Sequence, residues 1–227
     1  DAVDLARSIV TVANGAGMPT SAVLTDMNEV LGKTAGNAIE VRETIDFLMG
    51  RNVDQRLLDV VTALATEMLV IAGIADEATA PHAVKGALGS GTAAEKFAQM
   101  IVALGGPKDL MTNMDDHLPL APIRRDVIAP KRGYLGTLNV REMGVAVMDL
   151  GGGRHKASDK IDYGVGLTNI AGLGAKLGPR NPIATIIARN DADAARAEKR
   201  ILNAITLSEE PPAISAAVRT RLTKEDL

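Results

Sequence analysis

Almost no aromatic side chain is available to build an interior. Two Phe, two Tyr and no Trp give 2% aromatic residues in a chain of 227, against 46% hydrophobic residues overall. Ala, Val, Ile, Leu and Met must therefore fill the core, and such shapes favour helices packed closely together or laid on a sheet. The length suits one large domain or two small ones.

Composition also removes several function classes. A net charge of −3 offers no basic field to nucleic acid or anionic lipid. No apolar run reaches membrane-spanning length, and no N-terminal signal pattern is present. The absence of Cys excludes disulfides, thiolate metal sites and Cys nucleophiles. A cytoplasmic protein with no nucleic-acid and no membrane partner is the expectation. The chain opens on Asp1-Ala2-Val3-Asp4-Leu5, already inside a helical pattern, which leads us to expect a fragment or a processed protein.

The periodicity predicts a first helix carrying Leu5, Ile9 and Val12 and closing near Asn14 to Gly17. A short buried strand, Ser21 to Thr25, and a polar loop, Asp26 to Asn28, follow it. A second helix starts at Asn37, capped by Asn37 with Glu40 reaching back; it buries Ile39, Ile45 and Leu48 and stops at Gly50. Leu57 to Ala72 is the strongest helix, with Leu57, Val60, Val61, Leu64, Met68 and Leu69 on its apolar face. Another begins at Thr92, capped with Glu95, and buries Phe97, Met100, Ile101 and Leu104. Beyond a loose stretch the pattern turns strand-rich: Val127 to Ala129, Tyr134 to Leu138, Ile161 to Leu167 and Ile183 to Arg189. Asn139 with Glu142 caps a helix through Met148, and a last helix spans Asp191 to Leu207 with Ala195, Ile201, Leu202 and Ile205. The remaining residues read as a short strand or a loose tail. Helix, glycine turn, strand, loop and helix in succession is the cadence of an α/β layered fold.

Few residues carry chemistry by themselves. Gly32-Lys33-Thr34 resembles the end of a phosphate loop, but Met27 stands where its first glycine is needed. Gly151-Gly152-Gly153-Arg154-His155-Lys156 combines close backbone approach with basic side chains, but by itself reads more simply as a glycine helix stop before a solvated basic loop. His82, His117 and His155 have no metal-like spacing. Asp115-Asp116-His117 and the Asp159 and Asp162 pair are more simply turn residues.

Two blocks in combination are more specific. The first runs Ala13-Asn14-Gly15-Ala16-Gly17, Leu24-Thr25-Asp26-Met27-Asn28, Leu31, then Gly36-Asn37-Ala38, Glu40-Val41 and Glu43. The second runs Leu150-Gly151-Gly152-Gly153-Arg154, Ala157-Ser158-Asp159, Ile161-Asp162-Tyr163 and Val165-Gly166. In order and separation both resemble the C-terminal portion of the thymidine (pyrimidine-nucleoside) phosphorylases, over the chain up to about Leu207. The resemblance implies an α/β fold: residues 1–118 as the C-terminal part of the large α/β domain, 119–207 as a smaller α+β C-terminal domain, and 208–227 as a tail. It implies reversible phosphorolysis of thymidine by a cytoplasmic homodimer, with thymidine and phosphate as partners and no organic cofactor.

The family grips phosphate with a Lys-x-Ser-x-Gly-Gly-x-Gly-Asp loop and the base with an Arg and a Ser-x-x-x-Lys helix. Neither pattern occurs in these residues. No catalytic residue is carried over, and the residues alone are expected to be inactive. A potassium site is implied in part, through the carbonyls of Leu31 and Thr34 and the carboxylate of Glu43. Thr34 replaces the small apolar residue expected there, and the other ligands lie in the phosphate loop. The resemblance also places Gly151, Gly152, Gly153, Arg154, His155 and Lys156 at a cleft edge that orders as domains close. The rival expectations are a non-catalytic binding or structural module on the same domains, and a transferase handling another ribosyl substrate.

Overall fold

The computed structural model describes residues 1–226. Its helices are α1 (Ala2–Gly15), α2 (Ala38–Leu48), α3 (Gln55–Ile71), α4 (Ala80–Gly89), α5 (Thr92–Ala103), α6 (Met114–His117), α7 (Val140–Val147) and α8 (Asp191–Asn203). The strands are β1 (Ala22–Thr25), β2 (Ala35–Gly36), β3 (Ile123–Val127), β4 (Gly133–Leu138) and β5 (Gly166–Thr168), then β6 (Lys176–Leu177), β7 (Ala184–Ala188), β8 (Ile205–Ser208) and β9 (Val218–Leu222). The fold is mixed α/β, and every strand pairing among the described residues is antiparallel. No helix is long and apolar enough to cross a membrane among the described residues. The chain forms two compact units, each discontinuous in sequence: residues 1–26, 53–94 and 215–226, and residues 27–52 and 95–214.

The first unit is a two-stranded ribbon, β1 with β9, under α1, α3 and α4. Asp1 caps α1 by accepting from the N–H groups of Val3 and Asp4, which satisfies donors the helix cannot use internally. The helix exists as expected, but its buried face is not the expected one. Ala6, Val10 and Ala13 are buried, while Leu5, Ile9 and Val12 are exposed. Small side chains let the helix axis approach the ribbon closely, which longer ones would prevent. In α3 likewise Val60 is buried, whereas Leu64 and Met68 of the expected apolar face are exposed.

Polar groups tie this unit together. The carboxylate of Asp26, only 7% exposed, pairs with Arg219 on β9, and the Asp26 carbonyl accepts from Arg56 on α3 at 2.6 Å. Arg221 on β9 bridges Glu67 of α3 and Glu77. Truncating Arg221 would strand the buried Glu67 charge, the usual reason such pairs are costly to break. The Thr-Asp-Met-Asn segment thus owes its aspartate to a structural ion pair. Helix α4 was not anticipated, although Pro81 in its first turn is a legitimate start signal.

The second unit holds the larger core. A four-stranded sheet runs in the order β2-β5-β7-β3, and a three-stranded sheet in the order β6-β4-β8. β7 (Ala-Thr-Ile-Ile-Ala) is buried at every residue, as a central strand covered on both faces requires. Its one hydroxyl, on Thr185, is satisfied by Asp126 at 2.7 Å. α8 lies across β7 and β3 through Ala194, Ala197 and Ile201. Each buried Ile of this core stabilises by about 1.5–3 kcal/mol relative to an exposed one.

Several expected boundaries shift. α8 ends at Asn203, and Ile205 to Ser208 form β8 against β4, because Ala204 closes the helix. Ala195 is exposed, and Ala194 and Ala197 take the buried positions. Val127 ends a strand that begins at Ile123, and of the expected 161–167 strand only Gly166 and Leu167 pair, in a strand that runs on to Thr168. In α5 no side chain is buried, so Met100 and Leu104 are exposed against expectation. Within the expected tail, Val218 to Leu222 are the strand β9; Leu227 lies outside the described residues.

Candidate functional site

Of the expected site residues, Gly152 meets the start of α2. Asn37 is its N-cap, but its side chain does not cap; it donates to the Gly152 carbonyl at 2.8 Å. Glu40 reaches back one residue further than a capping box, accepting from Gly36 N–H at 2.8 Å. The Ala38 N–H donates to the Tyr163 carbonyl at 3.0 Å. The helix start, the glycine-rich turn and the 160–164 segment are therefore joined by long-range bonds that no local pattern signals.

The loop before β2 closes on Glu43. Lys33 N–H donates to Oε1 of Glu43 at 2.7 Å, and the Thr34 hydroxyl donates to Oε2. Gly32 faces the same carboxylate, where an added Cβ would sit 2.7 Å from both oxygens. On the other side the Lys33 carbonyl accepts from Ile170 N–H at 2.9 Å. A cleft of about 390 Å³ adjoins this loop, lined by Thr34, Glu43, Asp46, Arg124 and Asn169 among others. Gly32-Lys33-Thr34 thus clasps a carboxylate, not a phosphate. The expected ligands, the Glu43 carboxylate and the Leu31 and Thr34 carbonyls, are oxygens, the ligand type a hard alkali cation takes. Among the described residues no three His, Asp or Glu side chains converge as a metal cluster.

The three glycines have steric reasons to be glycine. α7 passes into a π turn, Met148–Gly152, in which Gly151 has φ +96°. At Gly152 a Cβ would meet Val147 at 2.8 Å, and at Gly153 it would meet Met148 at 2.6 Å. Beyond them, Arg154, His155 and Lys156 are exposed. The His155 ring lies 3.2 Å from Asp149, and Asp159 accepts from the His155 and Lys156 N–H groups at 3.1 and 2.9 Å. Asp159 is a turn residue, as the plainer reading held.

Asp162 has a different partner. Arg189 grips it with two bonds, Nε at 2.6 Å and Nη2 at 2.8 Å. This pair lines a cleft of about 1010 Å³ together with Asn37, Glu40, Thr44 and Tyr163. The guanidinium bonds, assisted by Gly164 N–H, hold the Asp162 carboxyl below its ordinary value of 3.8. A depressed carboxyl contributes stability above the unfolded pKa and loses it as pH falls through the folded one. Asp162→Asn should therefore melt below the parent near neutral pH, and the difference should shrink toward zero below about pH 4. Paired thermal melts across that range check this; a constant difference would contradict it. His117 is held by Asp109 at 2.8 Å, and Arg42 anchors the same stretch through the carbonyls of Met114 and Leu118 at 3.1 and 3.0 Å. The ion pair of Asp162 with Arg189 was missed in the sequence; nothing local links residues 27 apart.

Antiparallel sheets with helices on them and a loop clasped onto a carboxylate define a mixed α/β protein. Residues 134–208, from β4 to the end of β8, match the family model described as the pyrimidine nucleoside phosphorylase C-terminal domain. Over that stretch the chain is similar to the C-terminal domain of the pyrimidine nucleoside phosphorylases, which are phosphorylase-type transferases.

Proposed function

We propose that these residues serve a thymidine phosphorylase as its C-terminal portion. The family match over residues 134–208 is the observation that carries this reading, and the Gly-Gly-Gly-Arg form of the second sequence block favours thymidine within the family. In the reaction a phosphate oxygen bonds to the anomeric carbon of deoxyribose while the bond from that carbon to the base nitrogen breaks. Thymine takes up the proton, and deoxyribose 1-phosphate is the other product. Positive charge builds on the sugar in the transition state, so catalysis is chiefly the placement of an anion beneath it.

In this reading the present residues frame the site. The phosphate loop and the base-binding helix are contributed by other parts of a homodimeric cytoplasmic enzyme. Glu43, with the Leu31 and Thr34 carbonyls, would contribute to a potassium site whose other ligands lie in the phosphate loop. The exposed run from Arg154 to Lys156 serves as the edge of the substrate cleft. Incubating the full encoded protein with thymidine and phosphate, with uridine in parallel, tests the proposal. Thymine and deoxyribose 1-phosphate are the expected products. Release of uracil without thymine would reject the substrate, and release of neither base would reject the reaction.

A further inference from the structure

We infer that the Thr34 hydroxyl positions Glu43 without any cation, and so sets how strongly the 31–36 loop depends on potassium. The inference rests on the potassium reading above. An ionised carboxylate only accepts, and each of its oxygens needs a donor or a cation. Both are supplied here by the loop itself, Lys33 N–H on Oε1 at 2.7 Å and the Thr34 hydroxyl on Oε2. Gly32 leaves the carboxylate its space, since a Cβ there would lie 2.7 Å from both oxygens.

The clasp is secured from behind. The Lys33 carbonyl accepts from Ile170 N–H at 2.9 Å, and the next two residues, Ala35 and Gly36, pair with Leu167 and Gly166 of β5. Hydrogen bonds alone thus fix the loop on both sides. A cation reaching Glu43 meets a carboxylate already served on each oxygen and finds little left to order. Removing the hydroxyl leaves Oε2 without that donor, and the cation becomes the group that completes it. Thr34 is a positioning residue, and its side chain exchanges cation dependence for a built-in donor.

The test compares the full encoded protein, as parent, with its Thr34→Ala and Thr34→Ser variants, melted in choline, sodium and potassium chloride at matched ionic strength. Thallium-205 NMR titration reads cation occupancy directly. The parent and Thr34→Ser should melt within about 1 °C in all three salts, and Thr34→Ala about 3–6 °C lower in choline. Potassium, and not sodium, should restore at least half of that loss, with an apparent affinity roughly ten-fold higher than the parent's. Equal potassium responses in parent and Thr34→Ala would overturn the inference while leaving the potassium reading intact, as would failure of Thr34→Ser to behave like the parent. Absence of thallium binding by all three chains would overturn the potassium reading and the inference with it.

Discussion

Gly166→Ala is expected to detach β2 from the rest of its sheet. Gly166 has φ +152° and faces Gly36, φ +151°, across the β2–β5 pair. A Cβ on Gly166 would point into the Ala35 carbonyl oxygen and lie 3.1 Å from both the Gly36 Cα and the Ile39 Cδ1. Two of these three neighbours are backbone, so no side-chain rotation relieves the clash. Overpacking of this kind costs about 1–3 kcal/mol, and the unfavourable backbone region adds about 1–2 kcal/mol. At roughly 2–4 °C per kcal/mol, the melting of the second unit should fall by about 10 °C. Hydrogen exchange should show the Ala35 and Ile170 amides losing protection first, because β2 and the Lys33 carbonyl leave together. Gly144→Ala is the control: a Cβ there meets nothing within 4 Å, and replacing a helical glycine stabilises by up to about 1 kcal/mol. Equal melting of Gly166→Ala and the parent would show that the close approach of the two strands is not required.

What the sequence disclosed depended on how local the cause was. The Asn139 cap was legible because its partner, Glu142 N–H, is three residues away. The Asn37 cap was misread because its side chain is claimed by Gly152, 115 residues on. β8 read as helix because Ile201 and Ile205 fit a helical spacing, and the pairing of Ile205 with Leu138 is a long-range fact. The helix α1 was visible, but not its buried face, since the larger side chains were taken as the buried ones and Ala6 and Ala13 lie inward.

At the candidate site the same division holds. Glu43 and the 31–34 loop were named through resemblance, and the clasp between them follows from a nine-residue separation folded over Gly32. The glycine run stood out in the sequence, but its reason did not. Val147 and Met148 occupy the space that side chains at 152 and 153 would need. The Asp162 and Arg189 pair lay outside any local reading, although Asp162 itself belonged to the second block.

The second large effect concerns activity. Stabilising a sugar cation requires an anion held beneath it by several donors in a fixed geometry, and displacing even one such donor costs about 10²–10³ in rate. Some donors among the described residues are already engaged: Lys33 N–H and the Thr34 hydroxyl hold Glu43, and Asp162 occupies two nitrogens of Arg189. On the proposal that the phosphate loop and base helix lie elsewhere in the enzyme, a protein consisting only of these 227 residues is expected to lose their whole contribution, many orders of magnitude in kcat/KM. The decisive measurement is release of thymine from thymidine and phosphate by that purified chain, set beside the full encoded protein. The account predicts no release above the uncatalysed rate from the former and rapid release from the latter. Turnover by the 227 residues alone at a rate near that of the full protein would contradict it.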